Sequence, residues 1–272
     1  VHKVLHIVTT GTSLLRNAQS LCKSLPGLSE YCSLLGLWSS ASPDSSEDLE
    51  AARSAIPGSL VFKALLEAVA CEPRRLSAEL NAFFAYLDRL SGAYEHAVAL
   101  LSTDTGAGWL CTRVLEEFLK TLTKIPQVYV KGDHYIKSVE SVRVELLGRD
   151  FSKSSLNLLI EVKRAIRKYW NIVDEVVFNL TGGFKPETGF LLLTAGLLGA
   201  SRAYYIHEYM KEVVEIPVLP ITISEPVKSV LERSLRGELT PLDHRVLVEY
   251  RVLRPGEKEP EWLRTVAKIL LE

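Results

Sequence analysis

The sequence predicts an α/β fold: a doubly wound, mainly parallel sheet with a helical insertion, followed by a small helical C-terminal region. Three observations predict it. Short apolar, β-branched runs alternate with helical stretches from Lys3 to Ile221. Three of those runs end in polar, glycine-bearing turns, as strands do where an open parallel sheet binds ligands. After Ser224 only helical patterns remain.

Taken in order, "KVLHIVT" (Lys3 to Thr9) reads as a first strand entering the turn "TTGTS", and Leu14 to Leu25 has helical apolar spacing. Ser-rich residues 39–48 read as a loop, and about three helices follow to Ser91, broken at "IPGS" and "CEPR". "HAVALLST" (His96 to Thr103) is the second strand, Trp109 to Leu122 a helix, and "QVYV" (Gln127 to Val130) the third strand. Asn157 to Trp170 is a helix with a basic face, "EVVFNLT" a strand, Lys185 to Leu198 a helix, and "RAYYIH" and "EVVEIPVLPI" two last strands. "VVFNL" and "HAVALL" are expected to be neighbouring parallel elements of one sheet. Helices Pro226 to Leu235, Pro241 to Tyr250 and Pro260 to Leu271 each start near a proline, whose missing N–H costs nothing in a first turn. The expected domains are 1–224, with the insertion at about 39–91, and 225–272.

At 272 residues the chain has room for one large domain or one domain with an appendage. Hydrophobic residues at 47% and charged residues at 24% are ordinary for a globular protein, and a net charge of −1 gives no global attraction to nucleic acid or membrane. Residues 225–272 balance nine Lys/Arg against nine Asp/Glu, which argues against duplex DNA as a partner. Cys22, Cys32, Cys71 and Cys111 are scattered without Cys-x-x-Cys spacing, so reduced thiols are expected, with neither a disulfide framework nor a zinc site. Val1 to Thr10 does not read as a signal segment, and Phe190 to Ala200 is too short and interrupted to span a bilayer. A soluble cytoplasmic protein is expected. Two glutamines, five asparagines and one methionine lean towards a heat-adapted source.

The chemistry concentrates in the three turns. Thr9 to Ser13, Ser102 to Gly108 and Asn179 to Lys185 combine glycines, which let a ligand approach the backbone, with helix starts whose free N–H groups suit phosphates. The candidate ligand contacts are Gly11 and Thr12, Thr105 and Gly106, and Thr181, Gly182, Gly183 and Phe184. "GTSLLR" lacks the dinucleotide fingerprint, and "TGGFKPET" lacks phosphate-loop spacing, which excludes the commonest nucleotide sites. Lys185 opposes the helix dipole at a first turn, a misfit that favours a ligand role. Asp104 reads as a helix cap and, as an anion, stays outside the catalytic set. No Asp/Glu/His cluster of metal-ligand type accompanies the turns, so neither metal nor cofactor is expected.

A first strand ending "TTGTS", a middle strand ending "TDTGAGW" and a late strand ending "NLTGGFK" resemble the CARF domain of CRISPR-associated proteins. The layout over about Val1 to Pro220 further resembles the CRISPR-associated ring nuclease 1 family. The resemblance implies a Rossmann-like homodimer that binds cyclic tetra-adenylate and cleaves it without metal, switching off type III CRISPR signalling. It carries a catalytic serine to Ser13 and a catalytic lysine to Lys185. By the residues alone, Ser13 is equally well an N-cap.

The alternative is a non-catalytic cyclic-oligoadenylate sensor or CARF-type transcriptional regulator acting through the C-terminal helices. "RAYYIH" matches the R-x4-H pattern of HEPN ribonucleases, but it reads as a strand, and that motif belongs on a helix; His207 is read as a structural or dimer-contact histidine. His2, His6, His96, His134 and His244 share no spacing that points to a metal or a triad.

Overall fold

A computed structural model describes residues 1–25, 27–183, 185–206, 212–258, 260 and 262–271, with Lys185 as backbone only. The chain divides into two compact units, Val1–Leu219 and Pro220–Glu272.

The first unit opens with β1 (His2–Thr10) and α1 (Ser13–Leu21), then the insertion: α2 (Cys32–Ser39), α3 (Ser46–Arg53), α4 (Leu60–Cys71), α5 (Pro73–Leu76) and α6 (Ala78–Leu87). It continues with β2 (Ala93–Ser102), α7 (Gly106–Thr121), β3 (Asp133–Arg143), α8 (Phe151–Tyr169), β4 (Glu175–Asn179), α9 (Lys185–Leu197), β5 (Arg202–Ile206) and β6 (Val213–Ile216). Among the described residues these strands form one six-stranded sheet in the order β3-β2-β1-β4-β5-β6, parallel except for antiparallel β6. From β1 the chain winds outward through β2 and β3, then crosses back to β4 on the other side of β1. The strand order therefore reverses at β1, and the crevice of a doubly wound sheet opens there.

The alternation along β1 assigns the two layers. Val4 and Val8 pack with the insertion helices, α1 and α7, whereas Leu5 and Ile7 pack with α8 and α9. Burial on both faces explains why β1 reads as a near-continuous apolar run. His6 shares the Val4 face, and the parallel register brings it to two other histidines. His6 Nε2 lies 3.0 Å from His96 Nδ1, and His96 Nε2 lies 3.0 Å from His134 Nδ1. Tyr204 Oη is 3.4 Å from His6 Nδ1, at the other end of the row. Burial first, then neighbouring imidazoles, lowers His6 to about 3 and His96 to about 2, so both are neutral in the folded protein.

Four expectations are corrected. "QVYV" is a turn, with Tyr129 N–H donating to Pro126 C=O at 2.9 Å; the third strand is Asp133–Arg143, an edge strand whose Lys, Ser and Glu residues hide the apolar signal. "HAVALL" and "VVFNL" are parallel members of one sheet but not neighbours, because β1 lies between them. Cys22 and Cys32 are disulfide-bonded with Cα atoms 5.5 Å apart, since the chain folds back between α1 and α2; Cys71 and Cys111 are free. "EVVEIPVLPI" contributes only the four residues of β6, antiparallel at the sheet edge.

The second unit consists of α10 (Glu225–Arg236), α11 (Pro241–Glu249) and α12 (Trp262–Leu271), packed on Val230, Leu231, Leu247, Leu253, Leu263 and Ala267. Prolines occupy the first turns of α10 and α11, Thr240 and Asp243 form a capping box, and Gly237 ends α10 at φ 73°. No helix among the described residues is long and apolar enough to cross a membrane.

Candidate functional site

β2, β1 and β4 are parallel and adjacent, so their carboxyl ends bring the three turns to one edge of the sheet. A cavity of about 250 Å³ opens there. Gly11 and Thr12 line it from the first turn, Thr103, Thr105 and Ala107 from the second, and Gly183 from the third. Ser39, Ala41 and Pro43 of the insertion and Gly148 of the β3–α8 connection complete the wall. Arg16, one turn into α1, is the only charged residue among the described lining residues. It is exposed and forms no ion pair among the described residues.

The three turns are built differently. At the second, Thr105 caps α7 by accepting the Gly108 N–H at 3.0 Å, and buried Asp48 of α3 accepts the Ala107 N–H at 3.0 Å. Gly106 is obligatory: a Cβ would sit 1.8 Å from the Asp48 carbonyl oxygen. Asp104 is not the cap. It accepts from Arg143 Nε at 2.9 Å, from Arg149 Nη1 at 3.3 Å and from the Leu146 N–H at 3.0 Å, while Arg149 also pairs with Asp44 of the insertion. That chain of ion pairs ties the insertion loop beside Pro43 to the β3–α8 connection beside Gly148.

At the first turn Thr12 is the N-cap residue of α1 but makes no side-chain cap hydrogen bond. Ser13 is therefore not the cap; its hydroxyl donates to Glu79 Oε2 at 2.6 Å. Glu79, on α6 and 3% exposed, also accepts the Ser77 hydroxyl at 2.8 Å and the Gly11 N–H at 3.3 Å.

At the third turn Thr9 Oγ1 donates to the Gly182 carbonyl at 2.8 Å, and a Cβ on Gly182 would lie 2.2 Å from the Thr9 carbonyl oxygen. Gly183 has φ +95°, a conformation side chains rarely adopt. Thr181 Oγ1 accepts the Ile206 N–H at 3.3 Å, and Asn179 Nδ2 donates to the Glu79 carbonyl at 3.0 Å. α9 starts at Lys185, whose side chain lies outside the described residues, as do Phe184 and His207.

Of the residues singled out in the sequence, Gly11, Thr12, Thr105 and Gly183 line the cavity. Gly106, Thr181 and Gly182 hold the turns together, and Ser13 is not among the lining residues, its hydroxyl being held by Glu79. Arg16, Asp48 and Glu79 belong to the site without any motif that marks them in the sequence. Arg16 follows Ser13 by three residues and so faces the same side of α1; Asp48 and Glu79 lie 30 to 70 residues away in a stretch without any motif. Spacing along the chain does not reveal the His6–His96–His134 row, because register, not sequence distance, aligns it. Among the described residues no group of three or more His, Cys, Asp or Glu is placed to hold a metal ion.

A family model described as CRISPR-associated protein (Cas_APE2256) matches residues 74–219, more than half of the chain. The matched span includes Glu79 and the second and third turns, and it stops where the first unit ends.

Proposed function

The chain belongs to this family of CRISPR-associated proteins, and from that premise we propose that it is a ring nuclease. It binds cyclic tetra-adenylate and cleaves it, without a metal ion, to linear di-adenylate ending in a 2′,3′-cyclic phosphate, which switches off type III CRISPR signalling. One observation carries the reading: three glycine-bearing turns converge on a cavity whose only described charge is the unpaired Arg16. Backbone amides and a guanidinium suit a phosphodiester, and the threonine hydroxyls at the same edge suit a ribose.

The reaction is attack of a ribose 2′-OH on the adjacent phosphodiester. It requires in-line geometry and stabilisation of charge on the phosphate oxygens. Ser13 orients the nucleophilic ribose, and Lys185 with the N–H groups of Gly182 and Gly183 holds the phosphate. A cavity of about 250 Å³ takes only one segment of the ring. A second copy of the chain, related by a two-fold axis, presents an equivalent cavity to the opposite segment, so the working unit is a homodimer in the cytoplasm.

Incubation with labelled cyclic tetra-adenylate and a chelator tests this reading. The expected product is the linear dinucleotide, and Lys185→Ala lowers the single-turnover rate by about 10²–10³ while ring binding persists. If the Ser13–Glu79 hydrogen bond serves only to brace the first turn, a second reading follows, a non-catalytic sensor. It predicts tight binding, an intact ring, and a Lys185 variant defective only in affinity.

A further inference from the structure

Glu79 is a carboxylate in an unusual position. It is 3% exposed, and among the described residues it has no cationic partner. Burying such a charge is costly unless hydrogen bonds satisfy it. Three do: the Ser13 hydroxyl at 2.6 Å, the Ser77 hydroxyl at 2.8 Å and the Gly11 N–H at 3.3 Å. The chain bears this cost where the first and third turns meet. The Glu79 carbonyl takes the Asn179 amide, and a Cβ on Gly182 would lie 3.0 Å from Glu79 Oε1.

The hydrogen-bond polarity has a chemical consequence. Ser13 owns one hydroxyl proton, and the short contact commits it to Glu79. A second neighbour, the Ala78 N–H, reaches Ser13 Oγ only at 3.4 Å. Towards a ligand Ser13 therefore acts as an acceptor, and a sugar hydroxyl placed there has to donate.

We propose that Glu79 is a positioning residue that fixes Ser13 as the acceptor for the nucleophilic 2′-OH and receives the proton through it. The inference rests on the ring-cleavage reading. As the O2′–P bond forms and the P–O5′ bond breaks, the 2′ proton passes to Ser13 Oγ, the Ser13 proton passes to Glu79 Oε2, and the departing O5′ takes a proton from water. The hydroxide left by that water takes the proton back from Glu79, so charge and atoms balance with water as the only other reactant.

Glu79→Gln keeps the side-chain size but cannot take the proton. Single-turnover cleavage of cyclic tetra-adenylate is expected to fall about 10²–10³-fold, with affinity within about threefold. Glu79→Asp, which retains a carboxylate, recovers part of the rate. Wild-type rate in Glu79→Gln, or equal losses of rate in Glu79→Gln and Glu79→Asp, would overturn the proposal. A binding measurement on wild-type protein stands independently of how the variants fold. The ring lacking 2′-hydroxyls is expected to bind about tenfold more weakly than the ribose ring, and equal affinity would overturn the acceptor assignment. If the wild-type protein binds the ring and leaves it intact, the cleavage reading fails and the proton transfer with it. The 2′-deoxy comparison then still judges the acceptor polarity alone.

Discussion

Two helix starts stand side by side at the same edge of the sheet, and the protein treats them in opposite ways. At α7 its own groups meet the first turn: Thr105 caps Gly108, Asp48 takes the Ala107 amide, and Gly106 is pressed against the Asp48 carbonyl. At α1 the N-cap Thr12 makes no side-chain cap, Gly11 has open space where a side chain would be, and Arg16, without an ion pair among the described residues, lies one turn along. Both turns follow a parallel strand and both carry Thr and Gly, so local sequence does not separate them. The difference is made by the insertion: Asp48 of α3 takes an amide inside the first turn of α7, whereas at α1 Glu79 of α6 takes the Gly11 amide and the Ser13 hydroxyl and leaves the first helical turn without a side-chain cap.

The largest expected effect is at the closed turn. Gly106→Ala drives a methyl group into backbone that cannot give way, and should cost about 3 kcal/mol or more. In a unit of this size that lowers the melting temperature by roughly 6–12 °C. Gly11→Ala, with nothing within 4 Å, should stay within about 0.5 kcal/mol of wild type. Equal melting temperatures for the two variants would break the comparison.

Acidification asks whether the contrast is local or a property of the whole scaffold. His6 and His96 stay neutral in the folded protein, at about 3 and about 2, against 6.5 when unfolded. Below pH 6.5 the unfolded chain therefore takes up protons that the folded chain refuses, and stability is lost as the pH falls towards those folded values. The slope is up to about 1.4 kcal/mol per pH unit for each imidazole. Urea unfolding at pH 7.5, 6.5 and 5.5 should show wild type and Gly11→Ala declining in parallel; a flat profile would contradict the buried neutral row.

A smaller effect is expected from Asp48→Asn. The amide retains an acceptor for one of the Ala107 and Asp44 N–H groups but loses the charge, at about 1.5 kcal/mol. If Asp48 acts only as a plug, ring affinity should change less than stability. Calorimetric unfolding and ring titration on the same sample check this.

The fold was legible wherever strands are covered on both faces, since β1, β2 and β4 announce themselves as apolar runs. β3 was not, because an edge strand exposes one side and fills it with Lys, Ser and Glu. The three turns were legible for the same reason as their strands, and four of the ligand contacts singled out in them, Gly11, Thr12, Thr105 and Gly183, line the cavity. The partners that distinguish the turns were not: Asp48 and Glu79 meet them only after the insertion folds back over the sheet. The histidine row was illegible for a related reason. One histidine on each of three strands carries no spacing until the parallel register aligns them.

The central claim is that the open start of α1, with Arg16, receives a phosphate of the ring. Titration of cyclic tetra-adenylate onto wild type and Arg16→Ala, at two salt concentrations, tests it most directly. Loss of a charge-assisted contact should raise Kd about 10- to 100-fold and flatten the salt dependence, while the melting temperature stays unchanged. An Arg16→Ala protein with wild-type Kd and wild-type salt dependence would contradict the account.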